Sequence, residues 1–303
     1  MIKCGSGDVP VQTQIIHVPY DSGYKDFRMG RGPREILRHL KAEGFPVDEV
    51  EVQDRVALEV GTSFAVAQQI AEKVRHAVSE GAFPLILAGG CISCVGTIAG
   101  LGTPSPAIIW LDAHGDFNTP ETTISGFLDG MALSTTVGRC WGKLAATVPG
   151  FCPVPEQQVA LVGAREFDAN ERVLLNGSDV HLVDPQRMRK QGPSAELGPP
   201  LARIRELTGR AYLHIDLDVL DSAEACVNQF SAPGGLTLAE LLGVVGLVRE
   251  RFVLAAAAIT AYDPACDHDG KAVRGGQWLS SWNWVSLKRI ADVGREPLLF
   301  AVT

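Results

Sequence analysis

The sequence predicts an α/β fold with a parallel sheet held between helices, and three observations carry that prediction. Short apolar runs alternate with longer helical patterns, several of the runs are apolar without interruption, and polar residues stand where three of them end. Strands buried on both faces lose the in–out alternation of a half-exposed sheet, so Ile108-Ile109-Trp110-Leu111 reads as an interior strand covered on both sides. The alternation of strand and helix points to ligands outside the carboxyl ends of the strands.

Taken in order, the expected strands are Gln14–Val18, Pro84–Ala88, Ala107–Leu111, Gln158–Val162, Val180–Val183, Ala211–Ile215 and Leu254–Ala261. Helices are expected at Pro33–Gly44, Ser63–Glu80, Gly96–Gly100 with its flanks, Glu171–Asn176, Ala195–Thr208 and Leu238–Phe252. Pro33 suits a first helical turn, and Thr237 is placed to cap the last of these helices.

With 303 residues, 46% of them hydrophobic, the chain has material for one large core, and no linker or internal repeat divides it. One domain over residues 1–303 is the expectation. A net charge of -8 argues against a nucleic-acid partner. The seven cysteines are scattered, and the Cys91–Cys94 spacing finds no second pair to complete a zinc knuckle. No run approaches the roughly 18 apolar residues of a membrane span, and the first residues lack an apolar signal core. The expectation is a reduced, cytoplasmic protein with no membrane partner.

The chemistry gathers at the strand ends. Ile108–Leu111 runs into Asp112-Ala-His114-Gly-Asp116, and Ala211–Ile215 runs into Asp216-Leu-Asp218. Alternate residues of an extended segment face the same way, so Asp112, His114 and Asp116 can converge. Hard oxygen donors with one imidazole suit manganese, and less selectively zinc, cobalt or iron. Four close aspartates repel unless cations neutralise them; two divalent ions would do so and would bring a bound water's pKa near neutrality.

These residues resemble a known family. Asp112-Ala-His-Gly-Asp-Phe-Asn-Thr-Pro-Glu-Thr-Thr-Ile-Ser-Gly126 looks like the DAHxDxN…TxxSG signature of the arginases, or ureohydrolases, and Asp216–Asp221 resembles their DxDxxDP segment. Gly163–Glu171 is similar to their substrate loop, and Met29–Leu37 to their N-terminal GP segment. The resemblance runs in order from about residue 14 to about 270. It implies a three-layer α/β/α fold with one mostly parallel sheet, a two-manganese site, and attack of a metal-bridging hydroxide on a guanidinium-type carbon. It further implies that Asp112 and Asp216 bridge the metals, that Asp116 completes the first site and holds the hydroxide, and that His114 and Asp218 complete the second. By the same resemblance Asn118, Thr123 and Ser125 contact a substrate α-carboxylate, and Asp168 and Glu171 its α-amino side. A guanidino or hydroxyguanidino amino acid is the implied partner, and a trimer or hexamer the implied assembly.

The departures are as informative. Counting back from Gly96-Thr97 without a gap puts Cys91 where the family has a histidine ligand, and a gap would put Ile92 there; the ungapped register is preferred. A thiolate suits zinc or iron better than manganese, and the alternative for Cys91 is a small buried residue at a strand end. Asp129 stands at the family's proton-shuttling histidine, or is a loop cap. Phe127 replaces a carboxylate-binding asparagine, and Ala261 a glutamate that grips the guanidinium; Asp263, two residues on, would face the same side in an extended chain. Trp278, Trp282 and Trp284 are read as packing or oligomer contacts. The cysteine and the DFNTPETT run also resemble the Nω-hydroxy-L-arginine amidinohydrolases of the cycloserine pathway, arginase relatives that act on a hydroxyguanidine. Two further readings stay open: a binding or regulatory homologue without catalysis, and a formimidoyl-type C–N hydrolase.

Overall fold

A computed structural model describes residues 12–40, 45–52 and 58–274. Its centre is an eight-stranded sheet in which every neighbouring pair is parallel. In chain order the strands are β1 (Thr13–Val18), the small hairpin β2 (Tyr20–Asp21) and β3 (Tyr24–Lys25), β4 (Val47–Glu49), β5 (Phe83–Ala88), β6 (Ala107–Leu111), β7 (Val159–Val162), β8 (His181–Val183), β9 (Arg210–Asp216) and β10 (Val253–Thr260). The hairpin stands apart, and the main sheet runs β4-β1-β5-β10-β9-β6-β7-β8.

Helices cover both faces, which is why the central strands are apolar throughout. On one side lie α1 (Gly32–His39), α7 (Pro185–Gln191), α8 (Pro193–Leu207) and α9 (Leu238–Arg251), with Ile36, Met188, Leu201 and Val244 packed on Ile109, Leu111, Leu213 and Ile215. On the other lie α2 (Glu59–Ser79), α3 (Ser93–Leu101), α4 (Ala132–Thr136), α5 (Gly142–Ala145) and α6 (Ala169–Asn176), with Ile70, Ile98, Leu133 and Leu175 packed around Ile108, Trp110 and Tyr212. The result is the three-layer arrangement with one parallel sheet. A short last helix, α10 (Lys271–Arg274), closes the described chain.

The expected strands all form, with ends shifted by a residue or two. The expected helix Pro33–Gly44 is observed as Gly32–His39, and residues 41–44 lie outside the described residues. Thr237 does cap α9: its hydroxyl accepts from the Glu240 N–H while the Glu240 side chain accepts from the Thr237 N–H. The sequence reading missed β4, the hairpin, α4, α5 and α7, all too short to show a period. The tryptophans after residue 275 lie outside the described residues.

One feature of the topology builds the site. The chain passes from β5 to β6 and leaves two strand places between them, which β10 and β9 fill later. Segments far apart in sequence therefore end side by side, at the carboxyl edge where such sheets bind ligands.

Candidate metal centre and cleft

Gly89 and Gly90 follow β5 and deliver Cys91 to that edge. A Cβ at Gly89 would collide with backbone of Tyr20 and Gly30, and one at Gly90 with the Asp129 carboxylate. Asp112 follows β6; its Oδ2 accepts from Trp110 Nε1 at 2.9 Å and its Oδ1 from the His114 N–H at 2.7 Å. Asp116 is brought round by a left-handed residue conformation of its own, φ +49°, so the expected extended run bends here. From β9, Asp216 Oδ1 accepts from the Asp218 N–H at 2.9 Å, and Asp218 Oδ1 from the Ala113 N–H at 3.1 Å. Arg165, after β7, donates to the carbonyls of Asp218, Leu220 and Ala232 at 3.0, 3.1 and 2.7 Å and ties the turn after β9 to the segment at 232.

Two donor groups result, each with its ligand atoms within 4.8 Å of one another: Cys91, Asp112 and Asp116, and Asp112, His114 and Asp218. Asp216 joins the first through Cys91 Sγ, which donates to Asp216 Oδ2 at 3.0 Å. All four aspartates are buried. Burial, with the neighbouring Asp112, pushes Asp116 well above the usual carboxylate range; burial with Asp218 and Asp112 does the same to Asp216. Asp112 is also raised, by burial and then by Asp218. Burial opposes the charge of Asp218 too, yet the His114 charge together with the hydrogen bonds from His114, the Ala113 N–H and Asn228 outweighs it and Asp218 falls. For His114, burial favours the neutral ring, but Asp218 and Asp112 push it up to about 12. Asp116 Oδ2 is buried with no hydrogen-bond partner. A buried carboxylate oxygen without a donor costs on the order of 1–3 kcal/mol or more. The donor set therefore fits divalent cations, which would supply the missing positive charge.

Every residue predicted for the site lines one cleft of about 410 Å3: Cys91, Asp112, His114, Asp116, Asn118, Thr123, Ser125, Asp129, Asp168, Glu171, Asp216 and Asp218. Asp129 Oδ1 accepts from the Ile92 N–H at 3.0 Å while Oδ2 is buried without a partner. Burial, then the charge of Asp21, pushes Asp129 up to about 7. At the rim Asn118 Nδ2 donates to Asp168 Oδ2 at 3.1 Å. Thr123 Oγ1 and Ser125 Oγ accept from the N–H groups of Gly126 and Phe127 at 3.0 and 3.1 Å, so their own protons are free for other acceptors. Glu171 spends both oxygens on backbone, accepting from Phe117 N–H at 2.9 Å and Asp168 N–H at 3.1 Å.

The model of the Arginase family matches residues 11–279. The chain belongs to the arginase family. It is 30% identical over 208 residues to the arginase of Bacillus caldovelox, covering 67% of this chain and 69% of that one. Its fold superimposes on the crystal structure of arginase from Bacillus subtilis with a TM-score of 0.77 at 24% identity, covering 90% and 98% of the two chains. Formimidoylglutamase from Bacillus subtilis gives 0.72 at 20% identity, covering 93% and 88%. At these identities the structural likeness speaks for the fold.

Within this family member, Asp263 does not fill the place left by Ala261. Ala261 is left-handed, φ +63°, which breaks the extended geometry that would have aligned the two side chains. Asp263 instead pairs with Arg31 at 3.4 Å and accepts from the Ala265 N–H at 3.0 Å. Sequence reasoning also missed three residues of the site. Asn228, buried, donates to Asp218 Oδ2 at 3.2 Å and to the Ala261 carbonyl at 2.8 Å. Phe230 lines the cleft beside His114. His214 stacks on Trp110 at 3.6 Å, approaches Tyr212 Oη at 2.8 Å through Nδ1, and places Nε2 at 3.3 Å from Cys91 Sγ. Burial pushes it down to about 3, so it is neutral. The alternation that sends Tyr212, His214 and Asp216 to one side of β9 was the signal available for His214; Asn228 and Phe230 lie in a loop with none.

Among the described residues no helix is long and apolar enough to cross a membrane.

Proposed function

We propose that this arginase-family chain is a metal-dependent hydrolase of a non-peptide C–N bond in a guanidino or hydroxyguanidino amino acid. The observation that carries the reading is the pair of donor groups sharing Asp112 in a cleft that is also lined by Asn118, Thr123, Ser125 and Asp168. Cys91, Asp112, Asp116 and Asp216 would hold one cation and Asp112, His114, Asp216 and Asp218 the other, manganese being the first candidate and iron, cobalt or zinc the softer choices that a thiolate favours. Bound there, the ions neutralise the carboxylates and supply a water acidic enough to attack at neutral pH.

The chain's own residues do the rest. The unpartnered Asp116 Oδ2 is the acceptor that would take a hydrogen bond from an attacking water and orient it. Asp129 Oδ2, also without a partner, is the group placed to hand a proton to the departing nitrogen. Thr123 and Ser125 donate their hydroxyl protons to a carboxylate, Asn118 holds Asp168, and Asp168 faces the ammonium. Glu171 acts by fixing the backbone of Phe117 and Asp168. With Ala261 in place of a carboxylate clamp, a hydroxyguanidine, which is a weaker base than a guanidine and carries less cationic charge to be gripped, suits the site better.

The test is a panel of L-arginine and Nω-hydroxy-L-arginine with manganese, iron, cobalt or zinc, read by urea or hydroxyurea release beside metal analysis of the same protein. Hydroxyurea release faster than urea release is expected. Full metal loading with no product from any member would instead make the chain a binding homologue.

A further inference from the structure

One wall of the cleft is aromatic from floor to rim. His114 meets the Phe230 ring edge-on, at 6.2 Å and 85°. Phe230 stacks on Phe127 at 5.4 Å and 27°, and the Arg28 guanidinium lies over Phe127, 5.7 Å from its centroid. The wall thus leads from the proposed reaction centre to a cation. The residues that line the cleft include eight carboxylates and no lysine or arginine. The positive charge of the lining itself is His114, already paired with Asp112 at 3.3 Å and Asp218 at 3.4 Å, whereas Arg28 stands on the outer ring with its terminal nitrogens unengaged.

Arg28 is held for such a task. Its Nε donates to Asp21 Oδ2 at 2.7 Å, and the Asp21 side chain is wholly buried. Among the described residues its terminal nitrogens make no hydrogen bond, and the side chain is 33% exposed. The backbone at Arg28 is left-handed, φ +40°, a conformation that costs a non-glycine residue energy and needs surrounding structure to hold it. A guanidinium fixed by one edge and lying on an aromatic face presents its other edge to a planar acceptor without further loss of freedom. Phe127 belongs to the same short segment as Thr123 and Ser125, whose hydroxyl protons are available, and its N–H donates to Ser125 Oγ.

We infer that Arg28 is a specificity-determining residue that reads a carboxylate on the substrate end remote from the reacting carbon, with Phe127 as its platform. It supplies the recognition that Phe127 took away when it replaced a carboxylate-binding amide. The inference rests on the reading of this cleft as an amino-acid site, and its test separates the two.

Manganese-loaded wild type, Arg28→Lys and Arg28→Gln are assayed on L-arginine and on agmatine, which lacks the carboxylate. Calorimetry with L-ornithine and 1,4-diaminobutane reads binding without chemistry. Wild type should prefer the carboxylated member of each pair. Arg28→Gln should raise KM for L-arginine roughly 10- to 100-fold, the weight of a charged hydrogen bond, with kcat and the agmatine KM little changed. Arg28→Lys should fall between, since it keeps the charge and loses the planar fork. Because Arg28→Gln strips Asp21 of its partner, the double variant Asp21→Asn/Arg28→Gln is run alongside and should show the same loss of selectivity. If KM for both compounds moves together, or the preference survives in both variants, Arg28 is a structural partner of Asp21 and the inference is overturned while the hydrolase reading stands. Selective, Arg28-dependent binding of L-ornithine without turnover of L-arginine or of Nω-hydroxy-L-arginine upholds Arg28 and removes the hydrolase reading. Absence of binding for all four compounds, with no turnover of Nω-hydroxy-L-arginine either, removes both.

Discussion

Asp218 and Asp116 stand on either side of Asp112, both buried, and the chain balances their charges differently. Asp218 has four partners: the Ala113 N–H, Asn228 Nδ2, the His114 ring at 3.4 Å, and the clamp that Arg165 puts on its own carbonyl. Its carboxyl is held below the usual range. On the other side Asp116 Oδ2 has no partner, Cys91 contributes a thiol, and burial drives Asp116, Asp216 and the Cys91 thiol upward. One half is finished by the protein itself, and the other is left for a cation to finish. The lesson is that a donor group can be complete as a ligand set while remaining incomplete as an electrostatic one.

The severest way to break this comparison is Asp112→Asn, since Asp112 belongs to both donor groups. Both halves should lose affinity, by more than the roughly 10- to 100-fold that loss of an outer partner costs. Manganese titration into metal-free protein checks it. Retention of one equivalent at wild-type affinity would mean that the halves are independent.

Asn228→Ala touches only the finished half, through Asp218 and the Ala261 carbonyl. A drop of about 10- to 100-fold in the affinity of the stronger manganese site is expected. An unchanged titration would show that His114 and the backbone suffice for Asp218.

Cys91→His sharpens the comparison from the other side. An imidazole should raise the affinity of the unfinished half for manganese, and the ion count per chain should rise at limiting metal. The site is closed, with Cys91 3% exposed and its sulfur 3.3 Å from both Thr260 Oγ1 and His214 Nε2. The larger ring should therefore cost about 1–3 kcal/mol of stability, visible as a lower melting temperature in metal-free protein. Identical affinities in the two proteins would place Cys91 outside the metal shell.

What was legible in the sequence follows from where each signal resides. The uninterrupted apolar runs gave the sheet because burial on both faces leaves a local trace, and the strand ends gave Asp112, His114, Asp116, Asp216 and Asp218 because their spacing is local too. Cys91 lies beside Asp216, its Sγ 3.0 Å from Oδ2. Asn228 and Phe230 were invisible because a loop's path is set by tertiary contacts and carries no period. Asp263 was misjudged because an extended chain was assumed where Ala261 turns left-handed. Glu171 was placed in the right cleft, but its bonds to the Phe117 and Asp168 N–H groups could not be read from residue types.

The smallest expected effect isolates a carboxylate outside both donor groups. Asp129 is buried, accepts one bond from the Ile92 N–H, and is pushed up to about 7 by burial and then by Asp21. A carboxyl whose folded pKa lies above its unfolded value of about 3.9 adds stability that is complete below that lower value and is lost as pH rises through the higher one. The window is therefore from about 4 to about 7. An asparagine resembles the protonated acid at every pH, so Asp129→Asn should match metal-free wild type near pH 4 and lead it by a margin that widens from pH 5 to about pH 7. A gain of about 1–4 kcal/mol is the scale of a shift of this size. The other buried carboxylates are common to both proteins, so the Asp129 contribution is read as the difference between them. Chemical denaturation of the metal-free pair at pH 5, 6, 7 and 8 gives that difference directly. Parallel curves would show that Asp129 is already ionised across the range, and that Arg28 or solvent reaches it despite its burial.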